Sequence, residues 1–527
     1  MRRITLLSAA LTFALASVCA TAQESRLPDI GSSAGELLTP RQQREYGGMM
    51  LAQLRHYEYT LEDPLIDSWL DTLGTRLAAN SDKPQHPFTF FMLRERQINA
   101  FATLGGYVGV NTGLVLAAER EDEVAAVLSH EIAHVTQQHV LRAVERAQRD
   151  QLPILLAMLG AVVAAQAAGG NSSDDATQAA LAAGMGLMQQ RQIDYTRSNE
   201  SEADRLGIQT LARSHYDTTA MAGFFEKLNA RSRANRAGYY GETPGYLMTH
   251  PVTTTRISEA KARAEQIARA PSTFTGDAGQ SDNLLLPGGF KVGSGALTSG
   301  GTGQFAYARE RLRVLSADSA TAAIREYERM GKASTLSEAQ RYGLAIAKIR
   351  ANQGAAAAST LSELLEKHPG DLWLTLALGE AEARAGKAEA ADARFEGILK
   401  SMPHNRPTAL TYARVLAERN TPGGGKRAQA VLRPLLGQSS EDPEFQQVFA
   451  RASEIAGDPV RAGEAYAEAA YLNGRPEQAL VQLNTLKKRP DLDYYARARI
   501  DARIAAITPT VLELKRQGIR DEDLRRR

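Results

Sequence analysis

The chain has 527 residues, enough for two to four domains, each with its own core. Its 62 basic residues nearly balance 60 acidic ones, a net charge of +2 that gives no reason to expect a nucleic-acid partner. The single cysteine, Cys19, excludes a disulfide framework.

The N-terminus, Met1-Arg2-Arg3 followed by the apolar run Ile4 to Val18, reads as a secretory signal peptide. Ala20-Thr21-Ala22 before Gln23 is a small-x-small cleavage site, so residues 1–22 are set apart from the fold. Cys19 lies inside this segment, which leaves no thiol nucleophile in the mature chain. Val18 before it is not the small residue a lipid anchor needs, so soluble release is favoured. Without Arg2 and Arg3 the chain carries 60 basic and 60 acidic residues, a mature charge near zero. A secreted chain of this size without cysteine suits a bacterial periplasm.

Residues 23–268 alternate helical patterns with one short strand region and hold every candidate metal ligand. Tyr107, Val108 and Val110 suit a strand, and Gly105-Gly106 allow a tight turn before it. Asn99, Ala100 and Phe101 form either a substrate-pairing edge or one arm of an ordinary core hairpin.

The run Glu121 to Ala147 contains no Pro or Gly and is expected to be helical. Within it, His130-Glu131-Ile132-Ala133-His134 spells H-E-x-x-H. Residues four apart share a helical face, so His130 and His134 can hold one zinc ion per chain from one side. Glu131, one step round, can take a proton from the zinc's water, whose pKa the metal lowers to about 7. Leu152 to Gly170 is uncharged and apolar but rich in Ala and Gly. It reads as a buried or interfacial helix rather than a membrane span.

Asn199-Glu200-Ser201-Glu202-Ala203-Asp204-Arg205 offers E-x-x-x-D on one helical face. Glu200 can complete a His, His, Glu ligand set. Asp204 can fix a ligand imidazole's tautomer or help move a proton. Glu202 lies on another face and reads as a solvated charge. His250, before Pro251, is either a loop histidine or a fourth ligand that displaces the water and idles the site. Arg256 either stabilises an oxyanion or pairs with an acid. His86, His139 and His215 have no ligand-like partners in sequence and read as structural.

Residues 269–304 are rich in Gly, Ser, Thr, Asp and Pro, the composition of a linker or long loop. From 305 to 510 the chain is almost wholly helix-forming and repeats. Pro369 and Pro403, Leu344 and Leu378, Ala357 and Ala391, and Leu361 and Phe395 share one 34-residue offset, the tetratricopeptide pattern. A later copy at Ala450, Gly457, Ala462, Tyr466 and Ala469 sits three residues out of phase. Such an array forms a solenoid with a concave groove for a protein partner. Residues 511–527 read as a charged tail. The expected fold is mainly α: a helical zinc metallopeptidase domain with a small sheet, then an α-solenoid of tetratricopeptide repeats.

His130-Glu131-Ile132-Ala133-His134 together with Glu200 to Arg205 resembles the metallopeptidase family that includes HtpX and the CAAX prenyl proteases. Asn99 to Ala102 with Gly105 to Val110 is similar to the strand before that family's zinc helix, and Thr249-His250-Pro251 with Arg256-Ile257 to its later His-Pro segment. With a signal peptide and C-terminal repeats, the resemblance implies a periplasmic zinc endopeptidase. It also implies a chaperone-like role in outer-membrane β-barrel assembly and quality control. Unfolded or misassembled outer-membrane proteins would be its substrates, and the β-barrel assembly machinery would dock on the repeats. The remaining alternative is a repeat-based adaptor whose zinc site is idle or structural.

Overall fold

The computed structural model describes residues 38–146, 173–237, 245–269 and 301–516. The signal-peptide segment, the 152–170 stretch and residues 270–300 of the linker lie outside the described residues. Among the described residues, no helix is long and apolar enough to cross a membrane.

Helix α1 (Pro40–His56) starts at a capping box in which Thr39 and Gln42 satisfy each other's free backbone amides. Asp63 caps α2 (Pro64–Ala79) by accepting from the Ile66 N–H, and Pro64 sits at the first helical position. Strands β1 (Thr89–Leu93), β2 (Ala100–Ala102) and β3 (Tyr107–Asn111) form a sheet in the order β1-β3-β2. β1 runs parallel to β3 and β2 runs antiparallel to it, with Phe101 opposite Gly109. The turn between β2 and β3 needs glycine. Gly106 has φ +86°, and a Cβ there would lie 2.0 Å from the Pro87 carbonyl oxygen.

After α3 (Thr112–Ala117) comes α4 (Glu121–Thr136), the H-E-x-x-H helix, with Glu121, Asp122 and Glu123 at its positive N-terminal end. Val124, Leu128 and Ile132 are fully buried, and α4 packs against the sheet, α2, α5 (Ser173–Arg213) and α6 (Ala220–Ala237). The helix expected over 121–147 is not continuous. It stops at Thr136, Gln138 takes φ 55°, and helical backbone resumes at 139–146. No Pro or Gly marks the break, so it carried no compositional signal. Two further helices, α7 (Gly245–Thr249) and α8 (Thr254–Arg269), flank the His250-Pro251 segment.

The helical-repeat region comprises α9 (Phe305–Leu315), α10 (Ala320–Ala333), α11 (Glu338–Arg350), α12 (Gly354–Lys367), α13 (Leu372–Arg384) and α14 (Ala388–Ser401). It continues through α15 (Arg406–Glu418), α16 (Pro422–Leu432), α17 (Pro443–Ala456), α18 (Pro459–Leu472), α19 (Pro476–Lys487) and α20 (Tyr494–Arg516). Helices begin at Glu338, Leu372 and Arg406, and their partners at Gly354, Ala388 and Pro422, 34 residues apart in each series. The next pair begins at Pro443 and Pro459, three residues late. A 3₁₀ turn at Arg433–Leu435 extends the preceding connection and accounts for the phase shift. The last helix runs past residue 511, where a tail was expected to begin. Val511 is buried on the same stripe as Ile500 and Ile507, a helical spacing that outweighs the local charge.

The repeats as far as α18 share one apolar core with the preceding domain, and α18 to α20 close a second, smaller one. Trp69 and Phe305 pack with ring centroids 6.4 Å apart, and Arg406 reaches Asp67 across the junction at 3.5 Å. Thr302, from the end of the expected linker, donates its backbone N–H to Glu121 at 2.7 Å. Residues 301–304 are therefore tied to the N-terminus of α4.

Candidate metal centre

The i, i+4 spacing on α4 turns His130 and His134 the same way, with their Nε2 atoms 2.9 Å apart. α5 crosses α4 closely because residue 207 is glycine. A Cβ there would lie 3.2 Å from the His130 backbone nitrogen. That approach brings Glu200 in, with Oε2 3.4 Å from His130 Nε2 and Oε1 3.4 Å from His134 Nε2. His250, just past α7, completes the group. Its Nδ1 is 2.9 Å from Glu200 Oε1 and 3.4 Å from His130 Nε2. The ligand atoms of His130, His134, Glu200 and His250 all lie within 4.8 Å of one another. Tyr246 stacks on the His250 ring, 4.7 Å between centroids.

Asp204 lies one turn beyond Glu200, its Oδ1 2.9 Å from His130 Nδ1. Arg256 grips Asp204 with two donors, Nε to Oδ2 at 2.7 Å and Nη2 to Oδ1 at 2.8 Å. Its Nη1 stands 2.8 Å from Glu200 Oε2 and donates to the Pro251 carbonyl at 3.0 Å. The guanidinium thus directs its donors to Asp204, Glu200 and the Pro251 carbonyl. Glu131 is buried, its Oε1 has no hydrogen-bond partner, and the His250 Nε2 stands 3.6 Å away.

Burial disfavours charge on His130, but Asp204 and Glu200 outweigh it and push its pKa up to about 10. Burial takes His134 down to about 3. Glu200 and Asp204 both stay ionised below the usual carboxylate range, because their histidine and arginine partners outweigh burial. Imidazole nitrogens and a carboxylate oxygen gathered this closely are the kind of donor set that catalytic zinc sites use, and they fit a divalent cation.

Residues 99–101 run along the sheet edge beside α4. The Asn99 carbonyl accepts from the Asn111 N–H, and the Thr103 N–H donates to Tyr107 O. Antiparallel alternation then turns the backbone groups of Ala100 and Ala102 away from β3. Ala100 is fully buried and Ala102 is half-buried, so the free edge is at Ala102 rather than at Asn99 to Phe101. Ala102 to Gly105 and His134 line one small surface cleft, which Gln43, His86 and Gln138 also line.

His139 and Glu202 did not stand out in the sequence. His139 Nδ1 lies 2.8 Å from His134 Nδ1, and its Nε2 lies 3.1 Å from Glu202 Oε2. Glu202 also accepts from Arg142 at 3.2 Å, so it is not the solvated charge its helical position suggested. The break at Gln138 makes this contact, and a spacing rule for a continuous helix misses it. His86 accepts no ligand role and contacts the Pro87 carbonyl. His215 sits in a left-handed turn after α5.

A helical fold around the cluster of His130, His134, Glu200 and His250 fits a metallopeptidase. Residues 64–264 match peptidase family M48. The chain is 31% identical over 480 residues to the beta-barrel assembly-enhancing protease of Yersinia pestis, covering 91% of this chain and 90% of the relative. It is 30% identical over 498 residues to that of Escherichia coli (strain K12), 94% of each. A mitochondrial metalloendopeptidase, OMA1 of Schizosaccharomyces pombe, is 26% identical over 213 residues, 40% of this chain and 55% of the relative. The chain belongs to peptidase family M48.

Proposed function

We propose that the chain is a periplasmic zinc endopeptidase with a chaperone-like role in outer-membrane β-barrel assembly, degrading misassembled proteins. The observation that carries the chemistry is the convergence of His130, His134 and Glu200 beside Glu131, whose Oε1 makes no hydrogen bond. When bound, zinc lowers the pKa of its water and polarises the scissile carbonyl. Glu131 would act as general base toward a water there and then as general acid toward the leaving amine. Asp204, clamped by Arg256, holds His130 in the tautomer that presents Nε2. The free edge at Ala102 binds an extended substrate backbone over the cleft.

The outer-membrane assignment rests on the names of the relatives, which align along nearly the whole chain. The repeat region has the 34-residue helix-pair period of tetratricopeptides and offers the surface on which an assembly machine would dock. A second reading, an adaptor with an idle zinc site, is favoured by one observation. His250 stands between Glu131 and Glu200, where a nucleophilic water is needed.

The test is metal analysis and proteolysis of the mature chain and Glu131→Gln. About one zinc per chain is expected in both. Cleavage of an unfolded outer-membrane protein should fall by about 10²–10⁴-fold in the variant. Undiminished cleavage by Glu131→Gln overturns this catalytic role, and a parent protein that cleaves nothing promotes the adaptor.

A further inference from the structure

The two imidazoles facing the metal position are supported differently. Behind His130, Asp204 meets Nδ1 directly and Arg256 holds Asp204. Behind His134, the atom at that place is a nitrogen of another histidine. His139 Nδ1 stands 2.8 Å from His134 Nδ1, His139 Nε2 reaches Glu202 at 3.1 Å, and Arg142 holds Glu202. His139 is only 4% exposed although it belongs to the segment that restarts after the α4 break.

We infer that His139 is a positioning residue for the metal site, passing the charge of Glu202 to His134. The tautomers along the chain are determined by chemistry. A neutral His134 that offers Nε2 to a metal carries its proton on Nδ1 and must donate it. His139 Nδ1 is then the acceptor, so the His139 proton sits on Nε2. That N–H donates to Glu202, an ionised carboxylate that can only accept. Every donor in the chain meets an acceptor, and only this arrangement leaves Nε2 of His134 free for a cation.

One short stretch of α5 therefore serves the site three times. Glu200 faces the metal, Asp204 supports His130, and Glu202 supports His134 through His139. The Gln138 break is what allows it, since φ 55° there swings His139 back toward the preceding turn. Support from behind fixes ring orientation and raises ligand basicity, and losing it typically weakens metal binding 10–100-fold.

The inference rests on the zinc reading above, and the test separates the two. Zinc affinity of the mature full-length chain is measured by competition with a chromophoric chelator, alongside the melting temperature. His139→Asn can put its carbonyl oxygen at the Nδ1 position and accept from His134, while His139→Gln places its amide nearer Glu202 and leaves His134 Nδ1 unpaired. We expect His139→Gln to weaken zinc binding by about 10–100-fold and His139→Asn to recover most of it. Glu202→Gln, on a half-exposed side chain that folding tolerates, should weaken it by a smaller factor. A buried histidine acting only through packing would not favour Asn over Gln. Equal affinities for parent, Asn and Gln variants overturn the inference and leave the zinc reading intact, whereas a parent that binds no zinc overturns both.

Discussion

Asp63 and Arg311, 248 residues apart in sequence, close a two-pronged ion pair, Nε to Oδ1 at 2.8 Å and Nη2 to Oδ2 at 2.7 Å. Asp63 caps α2 of the peptidase and Arg311 projects from α9, the first helix of the repeats. Both side chains are buried. The pair therefore couples the helix that supports the metal-binding domain to the solenoid, alongside the Trp69–Phe305 contact. Removing the repeats would expose this face and strand its charge.

Arg311→Met should cost about 3–5 kcal/mol, because it leaves a carboxylate buried without its partner. The double variant Asp63→Asn/Arg311→Met should recover most of that loss, since Asn still caps α2. Chemical denaturation of the two proteins measures both. A loss under about 1 kcal/mol would class the pair with solvated surface bridges instead.

The same pair makes stability depend on pH in one direction. Burial opposes the charge on Asp63, but Arg311 outweighs it and holds the carboxyl below its ordinary value. An acid depressed in the folded state stabilises above its unfolded pKa, about 3.9, and that contribution is lost as pH falls through the folded value. The stability gap between parent and Asp63→Asn should be flat from neutral pH to about 5 and shrink below about 4. A gap that widens on acidification contradicts this sign.

His250→Ala should raise basal cleavage, or at least preserve it, at matched zinc content. The His250 Nδ1 sits 2.9 Å from Glu200 Oε1, inside the ligand cluster, where a fourth imidazole excludes water. Self-cleavage and substrate cleavage are the readouts. A clear loss of rate with zinc retained would make His250 a helper of the transition state.

Arg256→Lys should weaken zinc binding by about 10–100-fold, because a point charge cannot replace the fork that holds Asp204 and reaches Glu200 together. Chelator competition reads the affinity. An unchanged value would mean that Asp204 is held without the guanidinium.

What was legible in the sequence was local. H-E-x-x-H on a Pro- and Gly-free run places two imidazoles on one face because the helix repeats every 3.6 residues. Glu200 and Asp204 obey the same spacing, and the 34-residue period of the repeats reappears in the helix starts from Glu338 to Pro422. Glu202 was read wrongly by that rule, since two residues along a helix from Glu200 does point elsewhere. It finds His139 only because a second segment comes round to meet it.

The chain by itself determined the helices, the turn at Gly105-Gly106, the repeat period and the residue types a zinc peptidase needs. These follow from backbone geometry and side-chain chemistry acting within a few residues. Tertiary structure decided the break at Gln138, the His134–His139–Glu202 contact, the turn of Arg256 toward two carboxylates and the Asp63–Arg311 junction. Each joins groups distant in sequence, or bends a helix with no local breaker. Their energy comes from burying and pairing polar groups in one shared core, which no local periodicity encodes.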